Sequence, residues 1–85
     1  MVEYFSTMAT STKRTAKIVG RQVERLRTQR GLTRPGLAAR LGVDRTHVWR
    51  IETGETLPSL ALLDKMAGLF GVTLDALRNP PARAA

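Results

Sequence analysis

The sequence predicts an all-α fold, a compact bundle of five helices, and three observations carry that reading. Apolar residues recur three and four apart from Ile18 onward, which is the spacing of one face of a helix. A Ser, Thr or Asp stands ahead of four of these stripes, where a side-chain oxygen satisfies the free N–H groups of a helix's first turn. Gly31, Gly42, Gly54 and Gly71 follow the first four stripes, where a chain leaving a helix adopts a left-handed turn. No strand is expected anywhere.

The first helix is expected from Ile18 to Arg30, with Val19, Val23 and Leu26 as its buried stripe and Arg21, Arg25 and Arg30 on its other faces. Thr33 caps the second, which turns Leu37, Ala38 and Leu41 inward and stops at Gly42. Asp44 caps the third, running from Arg45 to about Thr53, whose aliphatic residues are Val48 and Ile51 alone; Gly54 closes it. Ser59, following Pro58, caps the fourth, where Leu60, Leu63, Met66, Ala67 and Phe70 form one face. Leu62 and Leu69 add a second face, more apolar surface than a monomer needs to bury. Thr73 caps a short fifth helix carrying Leu74 and Leu77, and Asn79-Pro80-Pro81 ends the fold. Connections of roughly two to six residues make consecutive helices neighbours around one core. Residues 1–17, rich in Ser and Thr and without a helical period, read as a flexible basic arm; residues 80–85 read as a disordered tail.

Composition narrows the function. A chain of 85 residues makes one domain. Its net charge of +7 is carried almost wholly by Arg, the side chain that matches phosphate and guanine geometry, so a polyanionic partner is expected. No apolar run approaches the roughly 18 residues that cross a bilayer, so no membrane partner is expected. The N-terminal residues place their Lys and Arg after the apolar ones and form no secretory signal, which points to the cytoplasm and the nucleoid. Without cysteine there is no disulfide, thiolate nucleophile or Cys-based zinc site. With one histidine, His47, and acids scattered singly, no Ser/His/Asp set, carboxylate pair or phosphate-cradling loop exists. The expectation is a protein that is not an enzyme, with no cofactor, no metal and no small-molecule ligand.

Helix two, the break at Gly42-Val43 and helix three make two short helices joined by a tight turn, the geometry of a DNA-binding helix-turn-helix. The residues Leu32-Thr33, Leu37-Ala38, Leu41-Gly42-Val43, Val48, Ile51-Glu52, Gly54, Pro58, Leu63 and Leu69 fall where the pattern of the lambda repressor and Cro type of helix-turn-helix, the XRE family, places them. The chain resembles that family over about residues 18–79. The resemblance implies a lambda-repressor-like five-helix domain that binds double-stranded DNA.

On helix three, at about 100° per residue, Val48 and Ile51 fix the buried direction, so Thr46, Trp49, Arg50 and Thr53 face outward with Arg45 on the flank. That face is expected to enter the major groove. Arg45 and Arg50 suit guanine, because a guanidinium donates to both O6 and N7, and Thr46 suits a thymine methyl. The family's base-contacting positions imply the same three residues. Trp49 lies against DNA or packs on a neighbouring element, and is counted with the base contacts. His47, on the flank, Thr53, Arg40 and Arg21 are assigned to phosphates. Arg34 stands where the family usually has a phosphate-anchoring glutamine, at a helix N-terminus that favours an anion. The sequence departs from the family at Pro35 and Gly36; the glycine removes the acidic or amide half of a capping box and predicts a looser start to helix two. The arm residues Lys13, Arg14 and Lys17 rank lower, for non-specific contacts. The resemblance also implies that Arg27 and Glu52 form a structural ion pair tying helix one to the end of helix three.

The leading expectation is a transcriptional regulator, a repressor, acting as a homodimer on a partly palindromic operator, with recognition helices ~34 Å apart. Leu62, Leu69, Leu74 and Leu77 are assigned to the dimer interface, with burial in the core as the alternative. A competing reading is an antitoxin or bridging module that uses the same fold to hold a protein. RNA binding is a weaker third reading, because no exposed aromatic platform is evident.

Overall fold

The computed structural model describes the backbone of residues 2–79 and the side chains of residues 12–79. Its order is α1 (Val2–Gln29), α2 (Arg34–Leu41), α3 (Arg45–Glu52), α4 (Leu60–Phe70) and α5 (Leu74–Arg78). The expected tail, 80–85, lies outside the described residues.

Each cap read from the sequence forms. The side chain of Thr33 accepts from Gly36 N–H, Asp44 from Thr46, Ser59 from Leu62 and Thr73 from Ala76. At the end of α2, Gly42 takes φ 73°, and Val43 N–H reaches back to Ala38 O at 3.0 Å. That six-to-one bond closes the helix and aims the chain into α3 within three residues. At Gly36 the N–H meets Thr33 Oγ1 at 3.0 Å, so the donor half of the cap is intact without a side chain at that position.

Two expectations are corrected. The first helix does not start at Ile18 but runs unbroken from Val2. Among the residues whose side chains are described, its buried stripe starts one turn earlier than the larger apolar residues suggest, at Ala16, which continues Val19, Val23 and Leu26 at spacings of three and four. With no Gly or Pro between Val2 and Val19, nothing in the chain stops the helix from propagating outward from that packed turn. On α4, Leu60 does not join Met66, Ala67 and Phe70 in the core; it is 71% exposed, while Leu62, Leu63 and Leu69 are half-buried against the core. The apolar surface of the fourth helix is therefore mostly used internally.

The core gathers Val19, Val23 and Leu26 of α1, Leu37, Ala38 and Leu41 of α2, Val48 and Ile51 of α3, Met66, Ala67 and Phe70 of α4, and Leu77 of α5. α1 packs on α3 and α5, α2 on α3 and α4, and α4 on α5. Polar side chains fasten the periphery. Gln22 Nε2 donates to Ala76 O at 3.2 Å, holding α5 to α1. Lys65 Nζ donates to Leu41 O at 3.1 Å, capping α2 from α4. Arg30 donates to Phe70 O and lies 5.3 Å from the centre of the Phe70 ring, so one cation serves both the open end of α4 and a ring face.

Candidate nucleic-acid interface

The position of α3 is set by its inner side. Val48 and Ile51 are about 1% exposed and sit in the core. At the C-terminal end, Gly20 of α1 lies so close that a Cβ there would meet Ile51 O at 2.3 Å and Glu52 O at 2.7 Å. Those neighbours are backbone and cannot turn aside, so only glycine at position 20 lets α1 lie directly on the end of α3. A glycine in a helix interior costs roughly 1 kcal/mol relative to alanine, and that unexplained cost is the signal by which sequence reading would find it.

The Glu52 carboxylate, almost wholly buried, is held by two guanidinium groups. Arg27 Nε reaches Oε2 at 2.6 Å and its Nη2 reaches Oε1 at 3.1 Å, while Arg27 Nη1 donates to Leu32 O at 2.8 Å. Arg34 Nε reaches Oε1 at 2.8 Å. One side chain at the last turn of α3 thereby joins α1, the α1–α2 turn and the first turn of α2. Arg27 and Glu52 thus stand as the resemblance implies, and Arg34 as a third member that the sequence reading does not contain. Every buried side-chain polar atom among the described residues has a partner.

The N-terminus of α3 is fixed by Asp44. Its carboxyl is held below the ordinary carboxylate value, first by the bond from Thr46 N–H, then by the Thr46 side chain and by the positive charge of Arg45. Asp44 Oδ2 stands 2.8 Å from Thr46 N. The cap is therefore ionised at neutral pH, where an anion at a helix N-terminus is favoured.

The outer side of α3 is uncommitted. Arg45, Thr46, Trp49, Arg50 and Thr53 are exposed and His47 is half-buried. Neither Arg45 nor Arg50 makes a side-chain hydrogen bond or ion pair among the described residues. Trp49 is 43% exposed and lies outside the core cluster. It forms, with Arg45, Thr46, Arg34 and Pro35, the walls of a cleft of about 340 Å³ between the starts of α2 and α3. Thr53 is different: its hydroxyl donates back to Trp49 O or Arg50 O at 3.0 and 3.2 Å, which turns its proton toward the helix backbone. Arg21 and Arg40 are exposed on α1 and in the last turn of α2, and neither borders the cleft. Lys13 and Arg14 are exposed on α1, and Lys17 runs its stem past Gly54, where a Cβ would come within 2.8 Å of Lys17 Cγ. A cation is thereby brought beside the end of α3.

The expected dimer residues separate. Leu77 is 0% exposed and belongs to the core, so it has no surface to give a second chain; Leu62 and Leu69 are half-buried against the core. Leu74 is exposed, and with Leu57, Leu60, Leu63 and Val19 it lines a groove of about 590 Å³ between α1, α4 and α5. Leu57 and Leu60 are absent from the sequence-derived set because periodicity alone assigns Leu60 to the core and says nothing about a loop leucine.

A helix-turn-helix whose second helix is locked on its inner side and bare on its outer side defines a class: transcriptional regulators of the HTH_3/XRE type, which are not enzymes and whose motif implies DNA binding. The chain belongs to the helix-turn-helix domain family HTH_31, whose model matches residues 18–80. It is 34% identical over 65 residues, 76% of this chain and 94% of the relative, to the uncharacterised HTH-type transcriptional regulator YazB of Bacillus subtilis. Among solved structures it is similar to the hypothetical transcription factor NHTF from Neisseria, with TM-score 0.72, 28% identity and coverage of 79% of this chain and 77% of that one. It is also similar to an HTH_3 family transcriptional regulator from Vibrio cholerae, with TM-score 0.70 and 29% identity. There the match covers 78% of this chain and 37% of the longer one. No helix among the described residues is long and apolar enough to cross a membrane.

Proposed function

We propose that this protein is a sequence-specific reader of double-stranded DNA that works in the cytoplasm as a homodimeric repressor on a partly palindromic operator. The observation that carries the reading is the contrast across α3: every polar group on its inner side is satisfied, while Arg45, Thr46, Trp49 and Arg50 stand exposed on one outward face. A helix of eight residues presented in this way matches the major groove in width, and its first turn and middle reach the base edges. Arg50 and Arg45 donate to guanine, Thr46 meets a thymine methyl, and Trp49 covers the sugar and base beside Thr46. Arg34, His47, Arg40 and Arg21 contact phosphates, and Lys17 joins them from α1. Repression follows from occupying the operator.

The homodimer is carried by the groove that Leu57, Leu60 and Leu74 border. One domain reads too few bases for an operator to stand out, and a two-fold pair doubles the sequence read. Selection of duplexes from a random pool at roughly physiological salt tests the reading, because binding at low salt reports charge alone. An inverted repeat with half-sites one helical turn apart is expected, together with a dimer mass in light scattering. Recovery of no motif would remove sequence-specific reading, and the same apolar groove would then favour the competing role of a module that holds another protein.

A further inference from the structure

The Arg34 guanidinium is shared between the protein's interior and its surface. Its Nε donates to Glu52 Oε1 at 2.8 Å, and Nη2 lies 3.7 Å from Glu24 Oε2 on α1. Nε–H and Nη2 form one side of the planar fork, so both carboxylates face that side. Nη1 bonds no group among the described residues, and the side chain remains 37% exposed at the cleft between α2 and α3. Glu52 is not free to follow Arg34 outward, because its other oxygen and the rest of Oε1 are held by Arg27. The fork is thus anchored on a fixed, buried acceptor that belongs to the recognition helix itself.

We propose that Glu52 is a positioning residue for DNA binding: it holds Arg34 by Nε so that the remaining Nη edge meets a backbone phosphate in fixed register with α3. The inference rests on the reading of this protein as a DNA reader. Guanidinium and ammonium differ here in a decisive way. A planar fork donates to two acceptors on different edges at once, whereas a lysine ammonium is a point charge on a flexible stem. Lysine at position 34 would choose between Glu52 and the phosphate. Keeping the charge therefore does not keep the function.

The test compares the wild-type protein with Arg34→Lys and Arg34→Ala by fluorescence anisotropy on a duplex of unselected sequence and on a selected one, over a salt series. Both variants are expected to bind either duplex roughly tenfold more weakly than wild type, the loss of one charge-assisted contact. Both should lower the slope of log affinity against log salt by about one unit, since that slope counts neutralised phosphates rather than fold stability. Thermal melts run alongside show whether either variant is unfolded at the assay temperature; should one be, the salt series is run below its melting point. If Arg34→Lys keeps wild-type affinity and slope, a point charge suffices and the positioning role of Glu52 is overturned. If Arg34→Ala also keeps them, Arg34 touches no phosphate. Failure of the wild-type protein to bind either duplex would instead overturn the DNA-reading function on which the inference stands.

Discussion

The two sides of α3 differ in how completely the protein uses them. On the inner side, Val48 and Ile51 are buried, Gly20 presses against the backbone, and Glu52 is held by Arg27 and Arg34. On the outer side, two arginines and a tryptophan are exposed, with the side chains of Arg45 and Arg50 making no hydrogen bond or ion pair among the described residues. A helix of eight residues is too short to hold its shape alone, so its rigidity must come from the packed side. The lesson is a division of labour within one helix: interior contacts fix where it sits, and the exterior is left open for a partner. Changes on the inner side should alter stability and move the whole reading face, whereas changes on the outer side should alter recognition and leave the fold alone.

The largest effect should come from Glu52→Ala, which leaves Arg27 without its buried counter-charge; a loss of about 3–5 kcal/mol of stability is expected from chemical denaturation. Gly20→Ala should come next, costing about 1–3 kcal/mol through overpacking against carbonyls that cannot yield. It should also weaken binding to the selected operator under conditions where the protein is still folded, because α3 is pushed away from α1. Normal stability with normal operator affinity would show that the close approach has no bearing on the reader. On the outer side, Arg50→Ala should leave the melting temperature unchanged and lose ~1–3 kcal/mol of discrimination at one base pair, read by competition between the operator and a duplex substituted there. Leu60→Gln, on the groove and away from α3, should shift light-scattering mass toward the monomer without lowering stability, since Leu60 is already 71% exposed.

The smallest effect belongs to Asp44. Its folded-state pKa lies below the ordinary value of about 3.8, so its capping contribution is fully present above that value and is lost as pH falls through the lower folded one. Thermal melts between pH 7 and pH 3 should show a modest acid-side loss in the wild-type protein that Asp44→Asn lacks, because the amide oxygen caps at every pH. An identical acid profile in both proteins would remove this role for the carboxylate.

Much of the fold was legible because its signals are local. Thr33, Asp44, Ser59 and Thr73 each bond an N–H two or three residues ahead, and glycines close the helices with short-range bonds, so a reading by neighbours finds them. The outward face of α3 was legible for the same reason, since two aliphatic residues suffice to orient one helix. What stayed hidden was long-range or carried by small side chains. Ala16 extends the stripe of α1 but is too small to register as a core position. The approach of Gly20 to Ile51 and the bond from Arg34 to Glu52 join residues far apart in sequence, and no periodicity encodes them. Leu77 lies in the core and Leu74 at the surface because α5 is so short that a single turn settles which of its two leucines points inward, while Leu60, the first residue of α4, stands at the helix end outside the core.

The most direct test of the account is an NMR titration of the isotope-labelled protein with its selected duplex, following backbone amides and arginine side chains. The account predicts that the largest shifts fall on Arg45 to Arg50 and on Arg34, with the groove around Leu60 and Leu74 responding little in a protein that is already dimeric. Shifts concentrated on α4 and α5, with α3 unmoved, would contradict it.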